Sequence, residues 1–478
     1  MDFLKPLHKN LLKNKFIQSI ILLVSGTAGS QIILILASPL LTRIYSPDSF
    51  GTLALFISIV MIMSMLATFR YELSLPLPKN SSIATNLLFI SSSLSLIICS
   101  IIGLFIYFYG EIFFTKTGLQ TILDFAYLIP FGILVFSFYN IFVQFNIRKK
   151  NFSLIAKAKI FQTIATLIIQ IAFYKFGAFS LLIGHIFGLF IGFILLVDIK
   201  KFKNFKINFK KSIILLISYK RFPLFSTPAG FIRVSGLELP IIVLTSFFNP
   251  AAAGLYALAN RVLNAPISAI GNAVSQAFIP TAVESNRMGS LNSLVKKIHR
   301  NMSILAMPLT IILVFFSQEI FIFVFGSEWV DAGRYAQWMA PWLYVVFVST
   351  PLTTLTTILD RQKEGLIYNC LLFIGRILSL YIGVELNNVM ITIILFASVN
   401  LILRFVFMLW LSSIAGCSIK IILFDTLKSL SLSFLVLSPL IIFQFLNLLN
   451  IYIVIFSAIL LVIYYWRSFL VATDQENV

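Results

Sequence analysis

The chain has 478 residues, of which 59% are hydrophobic and 11% charged, and a mean hydropathy of +0.99. Soluble domains do not reach such values, so the chain is integral to a membrane and its apolar runs leave no room for a sizeable extramembrane domain. Its formal net charge of +19 would suggest nucleic acid in a soluble protein, but here the distribution of the charge excludes that partner.

A helix crossing a bilayer needs about 20 apolar residues. Fourteen runs qualify, at roughly 17–41, 50–69, 83–109, 119–145, 154–174, 177–199, 213–247, 253–280, 301–325, 335–359, 365–384, 389–412, 418–443 and 449–470. Charges or prolines interrupt the seventh, eighth, eleventh and thirteenth. The first run follows a basic N-terminus but has no small-x-small cleavage site, which predicts a retained helix and not a signal peptide. With a cytoplasmic N-terminus, 28 of the 36 Lys and Arg fall on the cytoplasmic side and 4 on the other, namely Arg43, Lys116, Lys175 and Arg334. Four more, Arg233, Arg261, Arg376 and Arg404, lie inside spans. This is the positive-inside rule, and it predicts that both termini are cytoplasmic. Cys99, Cys370 and Cys417 have no metal spacing and imply no disulfide.

Residues 41–55, LTRIYSPDSFGTLAL, return 203 positions later as LTSFFNPAAAGLYAL at 244–258. Each copy sits where an odd span gives way to an even one, after spans one and seven. Pro47 and Pro250 should each start a helix where no backbone donor is needed, with Gly51 and Gly254 allowing close packing one turn later. Six spans separate the copies, so the halves share one orientation. The expected architecture is therefore all-α, with two pseudo-symmetric six-helix lobes in parallel orientation, 1–199 and 213–412. A cytoplasmic basic linker, 200–212, joins them, and two additional transmembrane helices follow in 413–478. The linker, KKFKNFKINFKK at 200–211, reads as an interfacial segment meeting anionic lipid. Spans thirteen and fourteen are either a lipid-facing extension or a groove for a greasy substrate portion. Pro223, Pro228 and Pro240 should bend span seven.

No Gly-Lys dipeptide, GxSxG or HExxH occurs, so neither a nucleotide-hydrolysing P-loop nor a catalytic constellation is present, and no cofactor or metal is expected.

The N-terminal block GTAGSQIILILASPLLTRIYSPDSFGTLALF, with RYELSLPLPKN after it, resembles the Wzx-type polysaccharide translocases of the multidrug/oligosaccharidyl-lipid/polysaccharide (MOP) exporter superfamily. So does RFPLFSTPAGF…LPIIVLTSFFNPAAAGLYALANRVLNAPISAIGNAVSQAF in the second half. The likeness covers residues 15 to about 412 and is specific in these two blocks. It implies a MATE-like fold in the bacterial inner membrane. It also implies a flippase for undecaprenyl-diphosphate-linked oligosaccharides, such as O-antigen or capsule repeat units, working by alternating access. A polysaccharide polymerase and a chain-length regulator are the partners it suggests. One departure is that span seven carries Arg233 and Glu238 where the family has neutral polar residues.

A charge at the bilayer centre costs roughly 2.5–3.5 kcal/mol on insertion scales, so each needs a partner or an aqueous cavity. Arg233, Arg261 and Arg376 lie too deep to snorkel, and a guanidinium fork matches diphosphate oxygens. On the resemblance, Arg233 and Arg261 hold the lipid diphosphate, with Arg376 next in line. The competing reading is internal ion pairing with Glu238 or Asp425. Arg70, Glu72 and Glu238 read as a lobe clasp or a gate. His185 and Asp124 are candidate coupling groups, against the plainer readings of a hydrogen-bonded neutral histidine and an interfacial carboxylate. Two rival functions stay open. A drug/cation antiporter of the same superfamily would carry a deep acid in the first span, which is absent here. A membrane-embedded polymerase or ligase would need large outer loops. Reporter fusions test the topology. Lys203 and Lys297 should score as cytoplasmic, Asn249 and Glu328 as periplasmic, and a cytoplasmic Asn249 would defeat the parallel-repeat reading.

Overall fold

The computed structural model of the chain describes residues 15–197, 209–446 and 451–474. The expected basic surface segment lies, up to residue 208, outside the described residues. The described residues are all-helical: α1 Lys15–Ile44, α2 Pro47–Ala67, α3 Ser81–Lys116, α4 Leu128–Arg148, α5 Phe152–Ala172 and α6 Ala178–Leu196. Span seven is the short α7, Phe209–Ser218, then a π-helical turn Phe222–Ser226, then α8, Thr227–Phe247. Span eight is α9, Pro250–Pro266, then a second π turn Ile267–Gly271, then α10, Asn272–Arg287. The rest are α11 Leu291–Phe325, α12 Val330–Ser349, α13 Leu355–Ile358, α14 Gln362–Glu385, α15 Val389–Ile414, α16 Ile419–Phe445 and α17 Ile451–Asp474. Twelve described helices are long and apolar enough to cross a membrane, or thirteen if the pair on either side of Thr350, bent by 48°, is one span. α17 adds a shorter apolar stretch, Ile455–Trp466.

Span seven is interrupted between Ser218 and Phe222. α7 ends before Pro223, whose missing N–H and ring are accommodated by the wider π turn. Pro240 stays inside α8.

The chain divides into two compact units, Met1–Leu258 and Ala259–Val478. The first closes on α8 and the start of α9. In this unit α2 is buried along most of its length against α4, α6 and α8. Its start is built as the sequence implies, with Ser46 capping and Pro47 in the first turn, while Asn249 caps α9 by accepting from the Ala252 amide at 2.7 Å. The two motif copies meet here. A Cβ built on Gly51 would fall onto the Pro250 carbonyl, and one on Gly254 onto the Pro47 carbonyl. The contact is reciprocal, backbone against backbone, and only a residue without a side chain permits it. α5 and α6 also approach closely. Gly184, Gly188 and Gly192, four residues apart, turn one bare stripe of α6 to α5, where a Cβ on Gly188 would lie 2.6 Å from the Gln162 carbonyl. At their far end the Tyr45 hydroxyl donates to the Gln170 carbonyl at 2.6 Å and meets Ser180 at 2.8 Å. α3, with 36 residues, runs beyond its neighbour, and Tyr107, Phe108 and Tyr109 near its end are exposed.

In the second unit α11 packs on α12 and α16, and α14 on α15. The Ser317 hydroxyl donates to the Gly333 carbonyl at 2.8 Å, and Tyr368 of α14 stacks on Phe407 of α15 with centroids 3.7 Å apart. A cavity of about 880 Å³ opens among α11, α12, α15 and α16, lined by Met307, Ile311, Phe315, Phe405, Phe434 and Leu435 among others.

Filling the motif contact tests this packing. Gly51→Ala and Gly254→Ala should each cost about 1–3 kcal/mol through overpacking, read as a lower thermal midpoint of the detergent-solubilised protein. Gly29→Ala, where a Cβ meets nothing within 4 Å, should leave it level or raise it.

Candidate functional site

The first unit gathers its charges where α2 ends. The helix stops at Thr68, and Phe69 and Arg70 both adopt left-handed backbone, with φ of 46° and 58°. Two successive side-chain-bearing residues there cost about 1–2 kcal/mol each, a strain that surrounding contacts must hold. The turn presents Arg70 and returns the chain as the 3-10 turn Tyr71–Ser74, where Glu72 is 5% exposed. Tyr71 anchors the turn by donating to the Leu216 carbonyl of α7 at 2.9 Å.

Arg70 is poorly satisfied. Its Nη1 lies 3.9 Å from Glu72 Oε1, longer than a hydrogen bond, and donates to the Met65 sulfur at 3.2 Å. Its Nε and the Glu72 Oε2 are buried without hydrogen-bond partners. Burial lifts the Glu72 carboxyl above its ordinary pKa, against the opposing pull of the Thr68 hydroxyl, its own amide and Arg70. Across from it lies Gly230 of α8, where a Cβ would sit 3.4 Å from Arg70 Nε, in ordinary van der Waals contact. One turn further along α8 is Arg233, close enough to feel the Arg70 charge.

Arg233 has no hydrogen-bond or ion-pair partner among the described residues. Glu238 does not serve it, because its Oε2 accepts from the Ser58 hydroxyl of α2 at 2.7 Å. The expected clasp of Arg70, Glu72 and Glu238 is thus two separate contacts along α2 and α8, one at the helix end and one midway.

In the second unit Arg261, on α9, is half-buried and likewise without a partner among the described residues. Arg376 is different. It is 8% exposed, donates through Nε to Asn400 Oδ1 of α15 at 2.8 Å, and lies over the Phe396 ring at 5.8 Å. Arg404 donates to the Ser349 hydroxyl at 2.9 Å, where the chain bends after α12. Asp425 is buried on α16 with Oδ2 unpartnered, and serves neither Arg233 nor Arg261 as an ion-pair partner. Of the candidate coupling groups, Asp124 is exposed on a 3-10 turn, and His185 is half-buried on α6 beside Gly184. No cluster of three His, Cys, Asp or Glu suited to a metal exists among the described residues.

The partners Ser58, Ser349 and Asn400 were not singled out from the sequence. Asn400, an amide amid MITIILFASVNLILRF, was the readable signal. A polar side chain held in an apolar span needs a mate.

Residues 40–334 match the family described as "Polysaccharide biosynthesis protein". No curated protein matches the chain. Among solved structures, the fold is similar to "Lipid II flippase MurJ, inward closed conformation", with a TM-score of 0.76 and 15% identity over 94% of this chain and 100% of that one. It is similar also to an inward-facing multidrug resistance MATE family transporter of the MOP superfamily, with a TM-score of 0.63 and 13% identity over 81% and 94% of the two chains. An outward-facing multidrug resistance MATE family transporter of the same superfamily gives 0.54, with 13% identity over 85% and 97%. The fold is therefore similar to that of MurJ and of these MATE transporters, the MATE-like fold that the sequence blocks implied.

The Arg376–Asn400 contact yields a packing test. Breaking either side strands a buried group, so Arg376→Met and Asn400→Leu should each cost about 1.5–3 kcal/mol and lower the amount of protein in the membrane. The double variant should recover part of the loss, because both polar groups are then gone. A double loss equal to the sum of the singles would deny the coupling.

Proposed function

The chain belongs to the polysaccharide biosynthesis protein family, and from that premise we propose that it is a flippase. Its substrate would be an oligosaccharide carried on undecaprenyl diphosphate, an O-antigen or capsule repeat unit, moved from the cytoplasmic to the periplasmic leaflet of the bacterial inner membrane. The observation that carries the proposal is the pair of span arginines without acidic partners, Arg233 and Arg261. An uncompensated guanidinium in a membrane helix is costly, and an anionic substrate removes that cost while it is bound. A sugar headgroup cannot cross hydrocarbon unaided, because each unsatisfied polar group costs several kcal/mol. An alternating-access path lined by such cations shelters it while the isoprenoid tail stays among apolar surfaces. The cavity of about 880 Å³ in the second unit suits a segment of that tail. An inside-negative potential assists, since outward movement of each negative charge gains about 2.3 kcal/mol per 100 mV.

This reading makes the protein a transporter and no enzyme, with both termini cytoplasmic and a polymerase and chain-length regulator as its neighbours in the pathway. The likeness to multidrug transporters supports the second reading, a drug antiporter. The unpaired arginines weigh against it, since they would repel a cationic drug.

Substitution separates the functional reading from a structural one. Arg233→Gln and Arg261→Gln should each abolish surface polysaccharide while leaving protein levels in the membrane intact. Lys at either position should rescue only partly, because a point charge keeps the attraction and loses the bidentate fork. Normal polysaccharide from both Gln variants would defeat the assignment.

A further inference from the structure

The groups left unsatisfied at the end of α2 converge on one spot. Arg70 has a buried Nε with no acceptor, and its one carboxylate neighbour among the described residues stands 3.9 Å away with its second oxygen unpartnered. Arg233 lies near enough to repel it, and Gly230 keeps the surface of α8 bare beside the Arg70 guanidinium. Arg70 has one loosely held acid and Arg233 has none among the described residues, so the two guanidiniums together are short of negative charge.

We infer that Arg70 and Arg233 form a phosphate-binding site in the first unit, and that Glu72 is a built-in counter-anion which a phosphate group displaces. This rests on the proposed reading of a diphosphate-bearing substrate and names where the first unit would meet it. With the site empty, Glu72 partly compensates Arg70 and spares the chain an isolated buried cation. A phosphate offers oxygens that reach both guanidiniums in bidentate geometry, which one carboxylate at 3.9 Å does not. Glu72 is then left buried without its cation and takes up a proton, for which its raised pKa already prepares it. The π turn Phe222–Ser226, which packs on the Tyr71–Ser74 segment, follows the exposed Lys220 and Arg221, which add positive charge on that side. Arg148 of α4 is held by the Pro78 and Lys79 carbonyls at 3.0 and 3.1 Å, Tyr71 is bonded to Leu216, and α3 brings no charged residue before Glu111.

The full-length protein in detergent tests this by calorimetric titration with inorganic pyrophosphate and, separately, with farnesyl diphosphate. Glu72→Gln should tighten both about tenfold, and Arg70→Gln or Arg233→Gln should weaken both by about tenfold or more, with Arg70→Lys intermediate. The gap between the native protein and Glu72→Gln should close as pH falls, since protonation makes the native side chain neutral too. Comparing two proteins at each pH cancels the titration of the probe. Tighter farnesyl diphosphate than pyrophosphate marks a lipid-phosphate site, and equal affinity marks a general phosphate site. Either supports the inference. Unchanged affinity in Glu72→Gln, or native affinity in Arg70→Gln, overturns it. Because the readout is binding to purified protein, it stands apart from surface polysaccharide, which tests the flippase reading.

Discussion

The first unit depends on a contact in which a glycine of each motif copy lies against the backbone of the other. Gly51 rests on Pro250 and Gly254 on Pro47, so each copy of the motif is the other's packing partner. Within a bilayer, apolar burial from water contributes nothing to helix association, and close van der Waals approach replaces it. A reciprocal crossing of this kind fixes where α9 leaves α8 and how α2 enters the bundle. From there α2 and α8 run side by side, through the Ser58–Glu238 hydrogen bond, to the strained turn that presents Arg70.

Charge is the second organising constraint. The membrane-embedded arginines fall into two kinds that composition does not separate. Arg376 and Arg404 are mated to Asn400 and to Ser349. Arg233 and Arg261 have no acidic mate among the described residues, and Glu238, the nearest acid in sequence to Arg233, is engaged by a serine. A guanidinium with a polar mate is held by the packing, and one without is a standing demand for an anion.

Much of this was legible in the residues. Hydropathy placed nearly every helix, and the Pro-x-x-x-Gly spacing gave the starts of α2 and α9. The repeat signalled that its two copies mattered, though no periodicity says that they touch each other. Three prolines marked span seven as bent, but the π turn at Phe222–Ser226 depends on how neighbouring turns absorb Pro223. The stripe Gly184, Gly188, Gly192 stands in the sequence as GxxxGxxxG, a quieter signal than the charges around it. Arginine partners were the hardest to foresee, because Asn400 and Ser349 are distant in sequence and many polar residues in apolar spans satisfy themselves against their own helix, as Ser91 does with the Leu87 carbonyl.

The length of α3 has a consequence outside the protein. Its 36 residues make a rod of about 54 Å at 1.5 Å per residue, against about 30 Å of hydrocarbon. Tilt absorbs only part of that excess, and the exposed Tyr107 and Tyr109 near the far end suit the headgroup layer better than the acyl chains. Where α3 outlasts the hydrocarbon, its ends emerge or the lipids beside it stretch, while α6, with 19 residues, asks for neither. The two helices thus match bilayers of different depth, and membrane thickness becomes a variable that bears on them unequally.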